Sequence, residues 1–161
     1  MNKTDFCLLH KKTIQIAIII IMKEDTENER KINIAYAEDE RWFREPTVEM
    51  LVESGFDVII ANSDGDKLLN FLETCQAFPD LVLTDLRMPN MNGLQLTRAI
   101  LNRWPESKVV ILTSEIESFY VSEAKEAGAV GFLHKIIDYK NIKAALEQVY
   151  RTGSTTFGKL Q

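Results

Sequence analysis

A chain of 161 residues sets one domain plus an extension as the default. Apolar residues make up 45% and charged ones 27%, an ordinary balance for a soluble globular protein that buries its core without disulfides or metal. The net charge of −5 disfavours a nucleic-acid-binding surface. The two cysteines, Cys7 and Cys75, lie far apart without metal-ligand spacing, which points to free thiols in a reducing cytoplasm.

Residues 1–30 read as an N-terminal extension, disordered or loosely docked. Within it Ile14 to Met22 is apolar apart from Gln15, but a membrane-spanning helix needs about 20 apolar residues. Lys11 and Lys12 precede the run as in a signal peptide, yet Lys23-Glu24-Asp25 follows at once and no small-x-small cleavage site is visible. Met22 is an alternative start, because Lys23 to Lys31 reads as a polar leader into the domain; the intact mass of the native protein distinguishes the two starts.

From Lys31 short apolar runs alternate with amphipathic stretches. Ile32 to Ala37 is predicted as the first strand. Glu38-Asp39-Glu40 follows, then a helix to about Ser54-Gly55 in which Pro46 is tolerable only near the first turn. Val58 to Ala61 is the second strand, and Asn62 to Gly65 a turn. Leu68, Leu69 and Leu72 mark the second helix. Leu81 to Thr84 is the third strand and delivers one carboxylate, Asp85, ahead of a Met88-Pro89 to Gly93 loop. Leu94 to Trp104 suggests a third helix stopped near Pro105, and Val109 to Leu112 a fourth strand. Tyr120, Val121, Ala124 and Ala127 mark a fourth helix ended by Gly128. Val130 to Leu133 is the fifth strand. Ile142, Leu146, Val149 and Tyr150 give the last helix its apolar face.

Five β/α units imply a parallel sheet covered on both faces. The best fit is an α/β, flavodoxin-like (βα)5 doubly wound fold with strand order 2-1-3-4-5 and its site at the carboxyl ends of the strands. The domain is placed at 31–153. The tail, 154–161, is too short for an output domain.

Those carboxyl ends carry Glu38 and Asp39, Asp85, Thr113, and Lys135, so three acids, a hydroxyl and an amine converge on one edge. Three adjacent carboxylates repel one another unless a cation neutralises them, and oxygen-only ligands suit a hard ion such as Mg2+. With that charge balanced, Asp85 can act as a nucleophile toward a phosphoryl donor, with Lys135 and Thr113 meeting the phosphoryl oxygens. Taken singly, each residue has a structural explanation: Asp39 as a helix cap, Thr113 as an N-cap with Glu115 in the first turn, Lys135 as a solvated surface lysine. The joint placement favours the chemical reading.

The sequence strongly resembles the receiver domain of two-component response regulators over about Lys31 to Gly153. The matching pieces are Ala37 to Glu40, Pro79 to Pro89, Met91-Asn92-Gly93, Val110 to Thr113 and Ala127 to Lys135. The Ala127 to Leu133 stretch looks most like receivers of the branch that carries a helix-turn-helix DNA-binding domain, which is absent from this sequence. The resemblance implies that Asp85 is phosphorylated by a sensor histidine kinase. It also implies that Asp39 binds Mg2+ directly with Glu38 acting through water, and that the backbone carbonyl of Arg87 completes the protein ligands. Thr113 and Phe132 become the switch pair, and Lys135 pairs with the phosphoryl group.

Three departures stand out. Glu38 replaces the commoner Asp. Asn92 replaces a common Asp and suits a helix cap equally well. Ile136 stands where the family usually has proline after the lysine, often behind a cis peptide; a cis bond before a non-proline residue costs about 2.5–4 kcal/mol, so a trans bond and an altered loop are expected. Arg87 and Glu115, two residues beyond Asp85 and Thr113, are expected to pair across the phosphoryl site and slow self-dephosphorylation.

His134 reads as a packing or surface group, Trp42, Phe43 and Trp104 as packing groups rather than nucleic-acid stacking platforms, and Met88 and Met91 as loop packing. A phosphatase with an aspartyl-phosphate intermediate would need a second acid where Arg87 stands. A receiver-like docking module that is never phosphorylated would not need Asp39, Asp85, Thr113 and Lys135 together. The expected protein is therefore not an enzyme beyond its own phosphorylation and dephosphorylation. It is expected to be cytoplasmic, to contact a sensor histidine kinase and an unknown downstream protein, to bind neither nucleic acid nor membrane directly, and to form a phosphorylation-dependent homodimer.

Overall fold

The computed structural model describes residues 30–154 apart from Ile116 and Ile137. The expectations for the extension, including the Ile14 to Met22 run, and for the tail beyond Ser154 lie outside the described residues. The unit that starts at Ile32 carries every element below.

Each apolar run becomes a parallel strand: β1 Asn33–Ala37, β2 Asp57–Asn62, β3 Leu81–Thr84, β4 Val109–Thr113 and β5 Gly131–His134. The helices are α1 Arg41–Glu53, α2 Gly65–Thr74, α3 Gly93–Arg103, α4 Ser118–Ala127 and α5 Tyr139–Thr152. The sheet order is β2-β1-β3-β4-β5, the predicted doubly wound topology. A register shift between Ile34 and Ala35 marks an irregularity where β1 meets β2.

Strand alternation sorts the core into two layers. Ile34, Tyr36, Leu81, Leu83, Val110 and Leu112 face α1 and α5, where Met50, Leu51, Ile142, Leu146 and Val149 meet them. Ala35, Ala37, Val82 and Val109 face α2 and α3 through Leu68, Leu72, Leu96 and Ile100. Small β1 side chains on that face let α2 and α3 approach closely. A smaller cluster of Ile111, Leu86, Ala124 and Ala129 seats α4, with Phe132 packed against its edge.

Helix termini follow local chemistry. Asp64 caps α2 by accepting from the Asp66 amide, Asn92 forms a full capping box with Gln95 on α3, and Asp138 caps α5. Gly128 ends α4 in the left-handed region at φ 93°, the conformation that favours glycine. The structural alternative for Thr113, a cap on the following helix, does not apply: α4 begins at Ser118 behind Glu117. Asp39 does not cap α1 either, because Glu40 holds that position without a side-chain bond.

Pro46 is a correction. It lies six residues into α1 rather than in the first turn. It removes the amide that would have bonded the Trp42 carbonyl, on a stretch where Trp42, Glu45 and Pro46 are all exposed. Trp42, expected to pack, is 72% exposed. Tyr150 also sits at the exposed margin of α5 rather than in its apolar face, while Trp104 packs on Phe78 as expected, with ring centroids 4.8 Å apart.

Candidate functional site

The site is built by strand ends held level by the sheet register. Ala37 pairs with Thr84, and Thr113 with His134. The Asp85 amide donates to the Ala37 carbonyl at 2.8 Å, and the Lys135 amide to the Thr113 carbonyl at 2.8 Å. Glu38, Asp39, Asp85, Thr113 and Lys135 are thereby gathered at one edge.

Within that edge, Lys135 Nζ lies 2.6 Å from Glu38 Oε2 and 3.1 Å from Asp85 Oδ1. One oxygen each of Glu38, Asp39 and Asp85 falls within 4.8 Å of the others. Glu38 is fully buried. The Tyr36 hydroxyl donates to it at 3.2 Å, and the Glu40 amide at 3.3 Å. Asp39 is only half-buried and lines a cavity of about 360 Å3 with Asp85, Arg87, Thr113, Glu115 and Lys135. The extra methylene of Glu38 is thus used to reach Lys135 from behind, while Asp39 and Asp85 face the opening.

Burial dominates the electrostatics. It raises the Asp85 carboxyl above the usual range, against the lowering pull of Lys135 and the Arg87 amide. Burial also raises Glu38, opposed by its hydrogen bond from Lys135. Burial pushes the Lys135 ammonium down, but the Glu38 hydrogen bond and the two carboxylate charges more than offset it and leave it raised. Tyr36 is pushed far up, by burial first and the Glu38 charge second. One ammonium facing three carboxylates leaves excess negative charge in a poorly solvated place. The all-oxygen donor set fits a hard divalent cation such as Mg2+, which Asp39 and Asp85 would hold at the cavity side.

Around this centre the structure places Phe132 half-buried on β5 and Thr113 buried, its Oγ1 accepting from the Glu115 amide at 3.2 Å. Arg87 and Glu115 form the expected ion pair, and the Glu115 charge raises the Arg87 guanidinium. The Arg87 amide donates to Asp85 Oδ2 at 2.9 Å. No cis peptide occurs among the described residues, so Lys135–Ile136 is trans, as its cost predicts.

Several supporting residues were not anticipated. Arg44 donates to the carbonyls of Glu38 at 2.5 Å and Asp39 at 3.1 Å, pinning the acidic loop from one turn into α1. The Phe43 ring lies 4.4 Å under Lys135 Nζ, a contact that desolvates and orients an ammonium. Tyr120 accepts from Arg87 Nη2 at 2.6 Å and stacks beneath its guanidinium. Buried Asp64 accepts from Asn90 Nδ2 at 2.6 Å and so ties the β2–α2 loop to the loop after Asp85. An arginine one helical turn beyond an acidic pair was the one readable signal among these.

Comparison with known proteins agrees with this fold. A family model described as response regulator receiver domain matches residues 34–147. The transcriptional regulatory protein DegU of Brevibacillus brevis is 33% identical over 128 residues, 79% of this chain and 53% of that protein. The uncharacterized transcriptional regulatory protein YxjL of Bacillus subtilis is 32% identical over 131 residues, 78% of this chain and 60% of that protein. The chain therefore spans a little over half the length of these curated relatives. Among solved structures, the signal receiver domain of the response regulator NarL from Mycobacterium tuberculosis superposes with a TM-score of 0.71 at 27% identity, covering 77% of this chain and 99% of that one. A LuxR-family two-component response regulator from Aurantimonas sp. SI85-9A1 gives 0.69 at 27%, covering 78% and 88%. Through residues 34–147, this chain belongs to the receiver domain family of two-component response regulators.

Proposed function

We propose that Asp85 accepts a phosphoryl group from the phosphohistidine of a sensor histidine kinase, and that its phosphorylation switches a protein-binding face. The observation that carries this reading is the position of Asp85. Its carboxylate is buried against Lys135 Nζ at 3.1 Å, within 4.8 Å of Glu38 and Asp39, at the floor of an open cavity. Mg2+, when bound by Asp39, Asp85 and the Arg87 carbonyl, neutralises charge that otherwise builds up between carboxylates and phosphoryl oxygens.

The chain's own residues do the rest. An Asp85 oxygen attacks phosphorus, the phosphorus–nitrogen bond to the donor imidazole breaks, and the imidazole leaves with the bonding pair to be protonated from solvent. The product is an acyl phosphate on Asp85. Lys135 then exchanges its contact with the Asp85 carboxylate for a phosphoryl oxygen, and Thr113 turns its hydroxyl from the Glu115 amide toward another. Phe132, half-buried against the α4 cluster, follows into the space behind Thr113. That movement changes the α4–β5–α5 face, where Phe119 and Ile136 are 63% and 84% exposed. A downstream protein or a second phosphorylated copy binds there. The relatives' names as transcriptional regulators support a transcriptional output reached from the cytoplasm. Among the described residues no helix is long and apolar enough to cross a membrane.

Incubation with a small phosphodonor and Mg2+ followed by intact mass tests the reading. A phosphoryl adduct that is lost in Asp85→Asn is expected. Rapid multiple turnover of the donor would point to a hydrolase, and no adduct with any donor to a docking module; either outcome overturns the proposal.

A further inference from the structure

Thr113 ends β4 and Lys135 directly follows β5, and the residue after each is tied to one ring. His134 lies half-buried just before Lys135. The Ile136 amide donates to His134 Nδ1 at 3.2 Å, and His134 Nε2 lies 3.0 Å from the Ser114 carbonyl. A ring nitrogen that accepts from an amide carries no hydrogen, so in the neutral imidazole the hydrogen sits on Nε2 and is donated to Ser114. One side chain thus joins the backbone just past Lys135 to the backbone just past Thr113. The donor at 136 exists only because that residue is not proline. The Ile136 side chain is 84% exposed, so this loop is held by its backbone rather than by burial of its apolar group.

We propose that His134 is a positioning residue whose ring clips the Thr113–Ser114 segment to the Lys135–Ile136 segment. The clip does by two hydrogen bonds what a proline at position 136 would do by backbone stiffness. It rests on the reading of Asp85 as phosphoryl acceptor. Together with the Lys135 amide bond to the Thr113 carbonyl at 2.8 Å, the ring fixes the spacing between the hydroxyl and the ammonium that must meet two oxygens of one phosphoryl group. Loss of the ring's nitrogens leaves both groups in place but lets their separation vary, which slows phosphoryl uptake more than it weakens the fold.

The test compares phosphoryl uptake from phosphoramidate with Mg2+, followed by intact mass, in the parent, His134→Phe, and His134→Phe combined with Ile136→Pro. His134→Phe is expected to slow uptake at least about fivefold, the scale of one hydrogen bond's contribution to positioning. The proline is expected to restore most of that loss, which a packing role for the ring would not produce. Uptake in His134→Phe within about twofold of the parent, or a slow variant that proline does not rescue, overturns the clip. If His134→Phe does not fold, nitrogen NMR of the parent decides: an unprotonated Nδ1 with hydrogen on Nε2 and a slowly exchanging Ile136 amide is expected, and the opposite tautomer overturns the proposal. A parent that takes up no phosphoryl group at all defeats the Asp85 reading instead, while the NMR signature still decides the clip.

Discussion

Arg87 and Glu115 pair across the mouth of the carboxylate cavity, each two residues beyond a group at its floor, Asp85 and Thr113. The Tyr120 hydroxyl holds the far side of the same guanidinium at 2.6 Å. The pair lines the same cavity as Asp85 and is anchored to α4 through Tyr120; under the proposed function it shields a phosphoryl group on Asp85 from hydrolytic water. Arg87→Ala is expected to speed decay of the phosphorylated form by on the order of threefold or more, the scale of one or two hydrogen bonds in a barrier. Tyr120→Phe should shift it the same way by less. Because the guanidinium is exposed, the melting temperature should not move. The decay of intact-mass adduct after donor removal measures this, and an unchanged lifetime in Arg87→Ala would sink the idea.

Lys135 is the one cation within the described carboxylate cluster, and its removal should be costly. Lys135→Met leaves buried Glu38 and Asp85 facing each other without compensation, which is expected to cost about 3 kcal/mol at neutral pH. The sign with pH follows from the raised lysine pKa. The folded state holds the proton more tightly than the unfolded chain, so the lysine's stabilisation is complete below the ordinary lysine range and is lost as pH rises through its raised value. Urea denaturation of parent and variant from pH 6 to 11 should show the gap closing only at the alkaline end.

Most of this arrangement was legible in the sequence because period and punctuation carry it. Leu81 to Thr84 is a strand with the predicted bounds, and the other strands begin or end within a residue of their apolar runs. The acids, the threonine and the lysine were each readable as the residue where a run stops. What was not readable depends on contacts between elements distant in sequence. Nothing local to Tyr120 says that it meets Arg87, or to Asp64 that it meets Asn90. Trp42 misled for the opposite reason: a large aromatic beside Phe43 suggested burial, but helix geometry turns Phe43 onto Lys135 and leaves Trp42 in solvent. Pro46 stands six residues into a helix that begins directly after Glu40, as predicted, so the rule that confines proline to the first turn gives way on this exposed stretch.

Gly93 should prove sensitive although it lies outside the carboxylate cluster. A Cβ there would overlap the backbone carbonyl oxygen of Asp85. The Gly93 amide also donates to the Leu86 carbonyl at 3.0 Å, so neither side can retreat freely. Gly93→Ala is expected to cost about 1–3 kcal/mol by overpacking and to lower phosphoryl uptake, because the strain is delivered to the peptide that aims the Asp85 side chain. A thermal melt and an uptake assay on the same sample check both. A loss of stability with unchanged uptake would show that the strain is absorbed elsewhere.

Asp85→Asn separates the charge argument from the chemical one. In the parent without divalent cation, burial holds the Asp85 carboxyl above its usual range, so its ionised form is a burden on the folded state. For a carboxyl with a raised folded pKa, that burden is complete above the folded value. It disappears as pH falls toward the unfolded value, because the folded state then carries the extra proton. The asparagine variant should therefore be the more stable protein at neutral pH in a chelating buffer, and the difference should shrink on acidification. Added Mg2+ should reverse the order. A cation at about one hundred times its dissociation constant stabilises by about 2.7 kcal/mol, and the variant, with one of three clustered carboxylates neutralised, should gain much less. Melting curves of the two proteins with and without Mg2+ at pH 5 and pH 7.5 supply all the comparisons. Equal stabilisation of both by Mg2+ would mean that the cation binds away from Asp85, and the site as described would be wrong.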